Sequence, residues 1–160
     1  YVATIDGREG AGRFQQPHTV FLDTRKPEAE LYIADRANHR IQVYDLEGTF
    51  KRSFGEDFLA MPTGFGICGD DLAVIELQAR ITLLDAEDTL IGHIGANQPV
   101  CDHEGWPNSL DAQSEPSRST RLEPGKFNSP HGVAVDQHGN IYVTEWLIGG
   151  RYIKLEKETA

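Results

Sequence analysis

Short apolar runs punctuate this chain at regular intervals. Leu31-Tyr32-Ile33-Ala34, Leu72-Ala73-Val74-Ile75 and Ile141-Tyr142-Val143 are β-branched, aliphatic or aromatic, and each is bounded by Gly, Pro, Asn, Asp or Glu. Within the runs, apolar and polar positions alternate with the period of a strand, as at Ile41, Val43 and Tyr44 and again at Ile81, Leu83 and Leu84. No stretch sustains a helical period. Leu46-Glu47-Gly48-Thr49 and Gln137-His138-Gly139-Asn140 put glycine where a tight hairpin turn needs positive φ. The pattern predicts short antiparallel strands joined by turns.

The runs repeat as a set. The first copy holds Pro17-His18-Thr19-Val20-Phe21-Leu22-Asp23, then Leu31 to Arg36, Arg40 to Asp45 and Thr49 to Gly55. The second begins at Pro62-Thr63-Gly64 and continues through Leu72 to Glu76, Arg80 to Asp85 and Thr89 to Gly95. The third holds Pro130-His131-Gly132-Val133-Ala134-Val135-Asp136, Ile141 to Glu145 and Arg151 to Glu156. Each copy reads as a four-stranded antiparallel meander of about 40–45 residues, the size of a propeller blade. The third copy is preceded by an insertion, assigned to 96–122, rich in polar residues and outside the repeat.

Composition changes this picture little. The chain has 160 residues, with 15 Lys and Arg against 25 Asp and Glu, a formal net charge of −10. An acidic surface disfavours nucleic acid, despite a small cluster of Arg118, Arg121 and Lys126. No apolar run approaches the ~20 residues of a membrane helix, and the opening Tyr1-Val2-Ala3-Thr4-Ile5-Asp6 reads as a strand with no leader pattern visible. The compartment stays open. Cys68 reads as a buried thiol and Cys101 lies in the insertion; two cysteines make no disulfide framework, and one bridge between them is left open.

Pro17-His18, Leu31-Tyr32-Ile33-Ala34-Asp35 and Asn38-His39-Arg40-Ile41-Gln42-Val43-Tyr44, with Phe127, Pro130-His131-Gly132-Val133 and Asn140-Ile141-Tyr142-Val143, resemble the NHL-repeat family of β-propellers. The second copy departs from the motif, with Thr63 for histidine and Gln78-Ala79-Arg80 for the triplet. The resemblance implies an all-β propeller in one domain over 1–160. It would have three four-stranded blades, the N-terminal strand completing the last one. Three blades fall short of the roughly four to eight of a closed propeller, and six are common in the family. The expectation is therefore half of a six-bladed ring, completed by a second copy of the chain or by a longer polypeptide.

Function is less legible, because propellers host many activities. The expected role is a binding module with a ligand, peptide or protein site at the channel mouth. His18 and His131 stand at the same repeat position, and they form the candidate ligand site with Trp106 and Trp146. In the amidating lyases of this family, which act on peptidyl-α-hydroxyglycines, histidines in such Pro-His positions hold a zinc ion. The resemblance therefore implies an alternative metal site of His18, His131 and His103, in a zinc-dependent lyase. A third alternative is a unit whose chief property is assembly. Asp35, Glu76 and Glu145, and Arg40, Arg80 and Arg151, recur in every copy, so they read as architecture, with Asp35 bonding backbone or Arg36. His39 reads as a turn residue, and His93 and His138 as surface residues.

Overall fold

A computed structural model describes residues 4–158. It is all-β and propeller-like, with four antiparallel sheets. The first contains β1 (Pro17–Asp23), β2 (Glu30–Asp35), β3 (Arg40–Tyr44) and β4 (Phe50–Phe54) in that order. The second repeats the order with β5 (Pro62–Cys68), β6 (Asp71–Glu76), β7 (Arg80–Leu84) and β8 (Leu90–Ile94). The insertion contributes a hairpin of β9 (Ser109–Leu110) and β10 (Pro116–Ser117). The last sheet has β11 (Pro130–Val135), β12 (Ile141–Glu145) and β13 (Arg151–Leu155). No helix among the described residues is long and apolar enough to cross a membrane.

Alternation decides which side chains meet. Tyr32, Ala34, Ile41 and Val43 leave the first sheet on one face and pack against Phe65, Leu72, Val74 and Leu84 of the second. Ala73, Ile75 and Ile81 leave the opposite face of the second sheet and meet Ile141 and Val143 of the third. Phe21 stacks on Phe65 with centroids 5.4 Å apart at the first joint. At the second joint the spacing is set by absence of a side chain. A Cβ on Gly66 would stand 2.6 Å from Val135 Cγ2, so the two innermost strands approach only because position 66 is bare.

Turn chemistry repeats as well. Asp45, Asp85, Asp111 and Asp136 each accept two backbone N–H groups from the residues two and four positions on. The left-handed position of these turns is glycine at Gly48 and Gly139, but Asp88 (φ 66°) and Ser114 (φ 62°) in the other two. The insertion thus carries the same turn as the repeats, together with a 3-10 turn at Gln98–Asp102.

The N-terminal strand lies partly outside the described residues, since Tyr1 to Ala3 are not described. Thr4 to Asp6 are not in a strand and lie beside the first sheet. The Asp6 carbonyl accepts the Phe14 N–H at 3.2 Å, and Ile5 reaches the Gly48 turn. Within one chain they sit a whole sheet away from β13, whose outer edge pairs with no strand among the described residues.

Candidate functional site

All three innermost strands begin with the same irregularity. Pro17 pairs with Asp35, Pro62 with Glu76 and Pro130 with Glu145, and the register then slips by one residue before pairing resumes. A bulge of this kind re-aims the side chain of the extra residue, and proline suits it because its missing N–H is not needed for the ladder. The re-aimed positions are His18, Thr63 and His131.

His18 and His131 come together. Their rings stand edge to face with centroids 4.8 Å apart. His18 Nδ1 lies 2.7 Å from the Thr63 carbonyl oxygen; a carbonyl only accepts, so Nδ1 carries the proton and Nε2 is the free nitrogen. The Thr19 hydroxyl donates to the same carbonyl at 2.6 Å. Neither nitrogen of His131 has a hydrogen-bond partner among the described residues, and its ring leans on Trp146 with centroids 6.2 Å apart. Burial, then the His18 ring and the Arg36 charge, hold His131 below the ordinary imidazole value.

Trp146 is 59% exposed and Ile148 44%, in the loop after β12. That loop is braced by the insertion, where Asn108 Oδ1 accepts the Ile148 N–H at 2.7 Å. Trp106, the other tryptophan expected at the site, packs against the second core cluster, and its indole N–H donates to the Asn128 carbonyl at 3.1 Å. His103 lines a separate groove of about 490 Å³ with Asn97, Arg121 and Glu123. The structure thus joins His18, His131 and Trp146, and sets Trp106 and His103 elsewhere.

A catalytic zinc generally takes three protein ligands. Among the described residues no three His, Cys, Asp or Glu side chains gather closely enough to hold a metal ion. The paired imidazoles supply two of the donors the resemblance implies, so the residues present do not complete that set and no metal-dependent step is derived. Cys68 and Cys101 are free and half-buried; burial raises both thiols, Cys101 to about 11.

The recurring acids and arginines tie each sheet to the connector before it. Asp35 accepts the Gln15 N–H at 2.7 Å and Arg40 Nε at 2.8 Å, while Arg40 donates to the Ala11 and Gly12 carbonyls. Glu76 accepts the Ala60 N–H and Arg80 Nε, and Arg80 reaches the Phe58 carbonyl. Glu145 accepts the Asn128 and Ser129 N–H groups and Arg151 Nε, and Arg151 reaches the Lys126 carbonyl. His39 occupies a left-handed turn and bonds the Ala60 carbonyl. His93 is exposed in β8 yet bonds Thr82 and Arg80.

Of the two partners expected for Asp35 the structure has the backbone: it accepts the Gln15 N–H and also bonds Arg40, Asn38 and Gln42, while Arg36 is not among its partners. Arg36 turns the other way, donating to Gln16 Oε1 at 3.2 Å, and its charge acts on His131.

Comparison with known proteins agrees with this architecture. The NHL repeat family model matches residues 127–146, which run from Phe127 through β11 and β12 to Trp146. Protein brain tumor of Drosophila melanogaster is 26% identical over 139 residues, covering 84% of this chain and 11% of that protein. The chain spans about a tenth of the length of that relative. With the bulged Pro-His strands and the recurring acid–arginine ties, these matches support the resemblance to NHL-repeat proteins.

Proposed function

We propose that the chain is a binding module of propeller type that takes a peptide segment of a partner protein at the mouth formed by His18, His131 and Trp146. The observation that carries this reading is the convergence of two bulge-directed imidazoles beside an exposed indole. Exposed aromatic side chains on a rigid frame are what binding hot spots use, and the surrounding β-sheets hold them with little ordering cost. The test is selection from a random peptide library against the purified chain. Selected peptides are expected to lose at least about tenfold in affinity for the His131→Ala/Trp146→Ala double variant, and to keep it for Lys154→Ala on a remote face. Equal binding to all three proteins sinks the reading.

A second reading is favoured by the free faces. Val20 (65% exposed) and Leu22 (49%) project from β1 at the positions that Phe65 and Ile67 occupy in β5, where they pack on the preceding sheet. The last sheet presents small Gly132 and Ala134 at the positions of Gly64 and Gly66, which receive Val133 and Val135. One end of the described chain thus has the knobs of a blade joint and the other its socket, and β13 has no strand on its outer edge among the described residues. This supports a six-bladed ring of two copies, the N-terminal segment of each completing the last blade of the other. Light scattering is expected to give about twice 17.8 kDa, and a stable species at 17.8 kDa rules the ring out.

A further inference from the structure

The strand register gives each side chain of the first sheet a counterpart in the second. Tyr32, Arg52, Glu30 and Asp23 correspond to Ala73, Gly92, Asp71 and Cys68. In the first joint the Tyr32 ring fills the space between the sheets and meets Phe65 edge to face. The Arg52 guanidinium lies over that ring at 5.6 Å and donates to Glu30 at 2.7 Å. In the second joint both the ring and the guanidinium are gone. Val135 closes on Gly66 and takes up part of the space, but a Cβ on Gly92 would meet nothing within 4 Å. A cavity of about 170 Å³ remains, walled by Leu83 and Ile94 of the second sheet and Ile141 and Leu155 of the third, with Cys68 and Asp71 in its lining. Glu30 holds Lys51 and Arg52. Its counterpart Asp71 is half-buried, and its carboxylate accepts no hydrogen bond and pairs with no cation among the described residues.

We infer that this cavity binds a small arylalkylamine, its benzene-sized ring between the two sheets as Tyr32 lies in the first joint, and its ammonium on Asp71 as Arg52 meets Glu30. The site is independent of the mouth, because His18, His131 and Trp146 do not line it. The size agrees, since a cavity of about 150 Å³ walled by aliphatic side chains holds benzene. The charge agrees as well. Of the two carboxylates lining the cavity, Glu156 is held by Lys154 at 2.6 Å, and Asp71 is the unpaired one. A half-buried carboxylate attracts a cation more strongly than one in open water does. Lys157, the basic residue of the lining, is exposed, and its stem lies against the Gly139 turn. The first joint thus carries built into its own chain the ring and the cation that the second joint takes from solution.

The test is a methyl chemical-shift titration at Leu83, Ile94, Ile141 and Leu155 with four probes: phenethylamine, phenethyl alcohol, phenylpropionate and butylamine. Ligands this small bind in the millimolar range or somewhat below it. Phenethylamine is expected to bind at least about tenfold more tightly than each of the other three, the size of a charge-assisted hydrogen bond. Asp71→Asn, at a carboxylate that pairs with nothing, is expected to leave the urea midpoint unchanged and to bring the amine down to the alcohol. Gly92→Arg supplies the missing guanidinium from within the chain and is expected to abolish amine binding at an unchanged or raised midpoint. If Gly92→Arg fails to fold, Asp71→Asn still decides. Equal binding of amine, alcohol and carboxylate overturns the ammonium assignment. Tighter binding of phenylpropionate gives the charge to Lys157 and overturns it too. Amine binding that survives Asp71→Asn, or that moves the Trp146 indole in place of the four methyls, places the ligand elsewhere. No methyl shift up to ~10 mM of any probe removes the site altogether.

Discussion

Replacing Asp88 by glycine is expected to lower the unfolding free energy by about 3–5 kcal/mol, although glycine is the residue its backbone prefers. Asp88 sits at φ 66° in the β7–β8 turn, where the equivalent turn of the first sheet has Gly48. On backbone grounds the substitution stabilises, by up to about 1 kcal/mol. Its side chain reverses the sign. Asp88 accepts from Arg25 at 2.8 Å, from Arg52 at 2.7 Å and from the Tyr32 hydroxyl at 2.8 Å, all three belonging to the first sheet or its β1–β2 loop. Asp23 and Glu30 complete the network from the other side of the two guanidiniums. Burial, with Asp88 alongside, keeps the Tyr32 phenol protonated far above its usual range. Removing the carboxylate leaves Arg25, whose side chain is 1% exposed, with Asp23 as its one remaining carboxylate, and takes the acceptor from the buried Tyr32 hydroxyl. Urea unfolding gives the answer through its midpoint at unchanged slope. A neutral or stabilising Asp88→Gly would mean that the network is no lock between the sheets.

Acid should release the same lock. Hydrogen bonds from Arg52 outweigh burial and hold Glu30 down at about 2. Burial works against ionisation of Asp23 too, yet the bonds from Arg25 prevail and its value ends below normal. Groups lowered in the folded state contribute fully above the ordinary carboxylate range, and the contribution is lost as pH falls through the folded values. The melting temperature is therefore expected to start dropping below about pH 4.5 and to keep dropping towards pH 2. The decline should be shallower in Arg52→Met, which removes the guanidinium that holds Glu30 down.

Glu76→Ala is expected to cost a similar ~3–5 kcal/mol, a large share of the ~5–15 kcal/mol that holds a domain together. The carboxylate is fully buried and accepts from the Ala60 N–H, from Arg80 Nε at 2.7 Å and from the Thr82 hydroxyl. Truncation orphans the Ala60 N–H and Arg80 Nε, and leaves the Thr82 hydroxyl with His93 alone. Arg80, 8% exposed, would keep only the Phe58 carbonyl as a firm partner. Glu76→Gln retains the shape and one acceptor, so its loss should be smaller. If Glu76→Ala and a surface substitution such as Glu47→Ala give the same midpoint, the acid–arginine tie is not what fastens connector to sheet.

The contrast between these two residues explains what the sequence discloses. Glu76 is legible because its tie is local and repeated: Arg80 follows four positions later, and Asp35–Arg40 and Glu145–Arg151 repeat it. Strand alternation and the Pro, Gly and Asp punctuation are local in the same sense, and they carry the sheet order. Asp88 is illegible because its partners lie 36 to 63 positions away and meet it only when one sheet stacks on another. The insertion's hairpin was legible in principle, since Asp111 opens the same turn as Asp45 and Asp136. Ser114 stands where those turns have glycine, so the usual mark is missing.

The extra residue at the head of each innermost strand has a further consequence. A side chain at such a bulge is released from the strict alternation of the two faces. Positions 18, 63 and 131 can therefore exchange residue types while pairing resumes unchanged behind them, as the coexistence of histidine and threonine there already demonstrates. The frame behind the three positions is the same in every sheet, while the bonds they make differ: His18 holds the Thr63 carbonyl, and the Thr63 hydroxyl holds the Ile75 carbonyl.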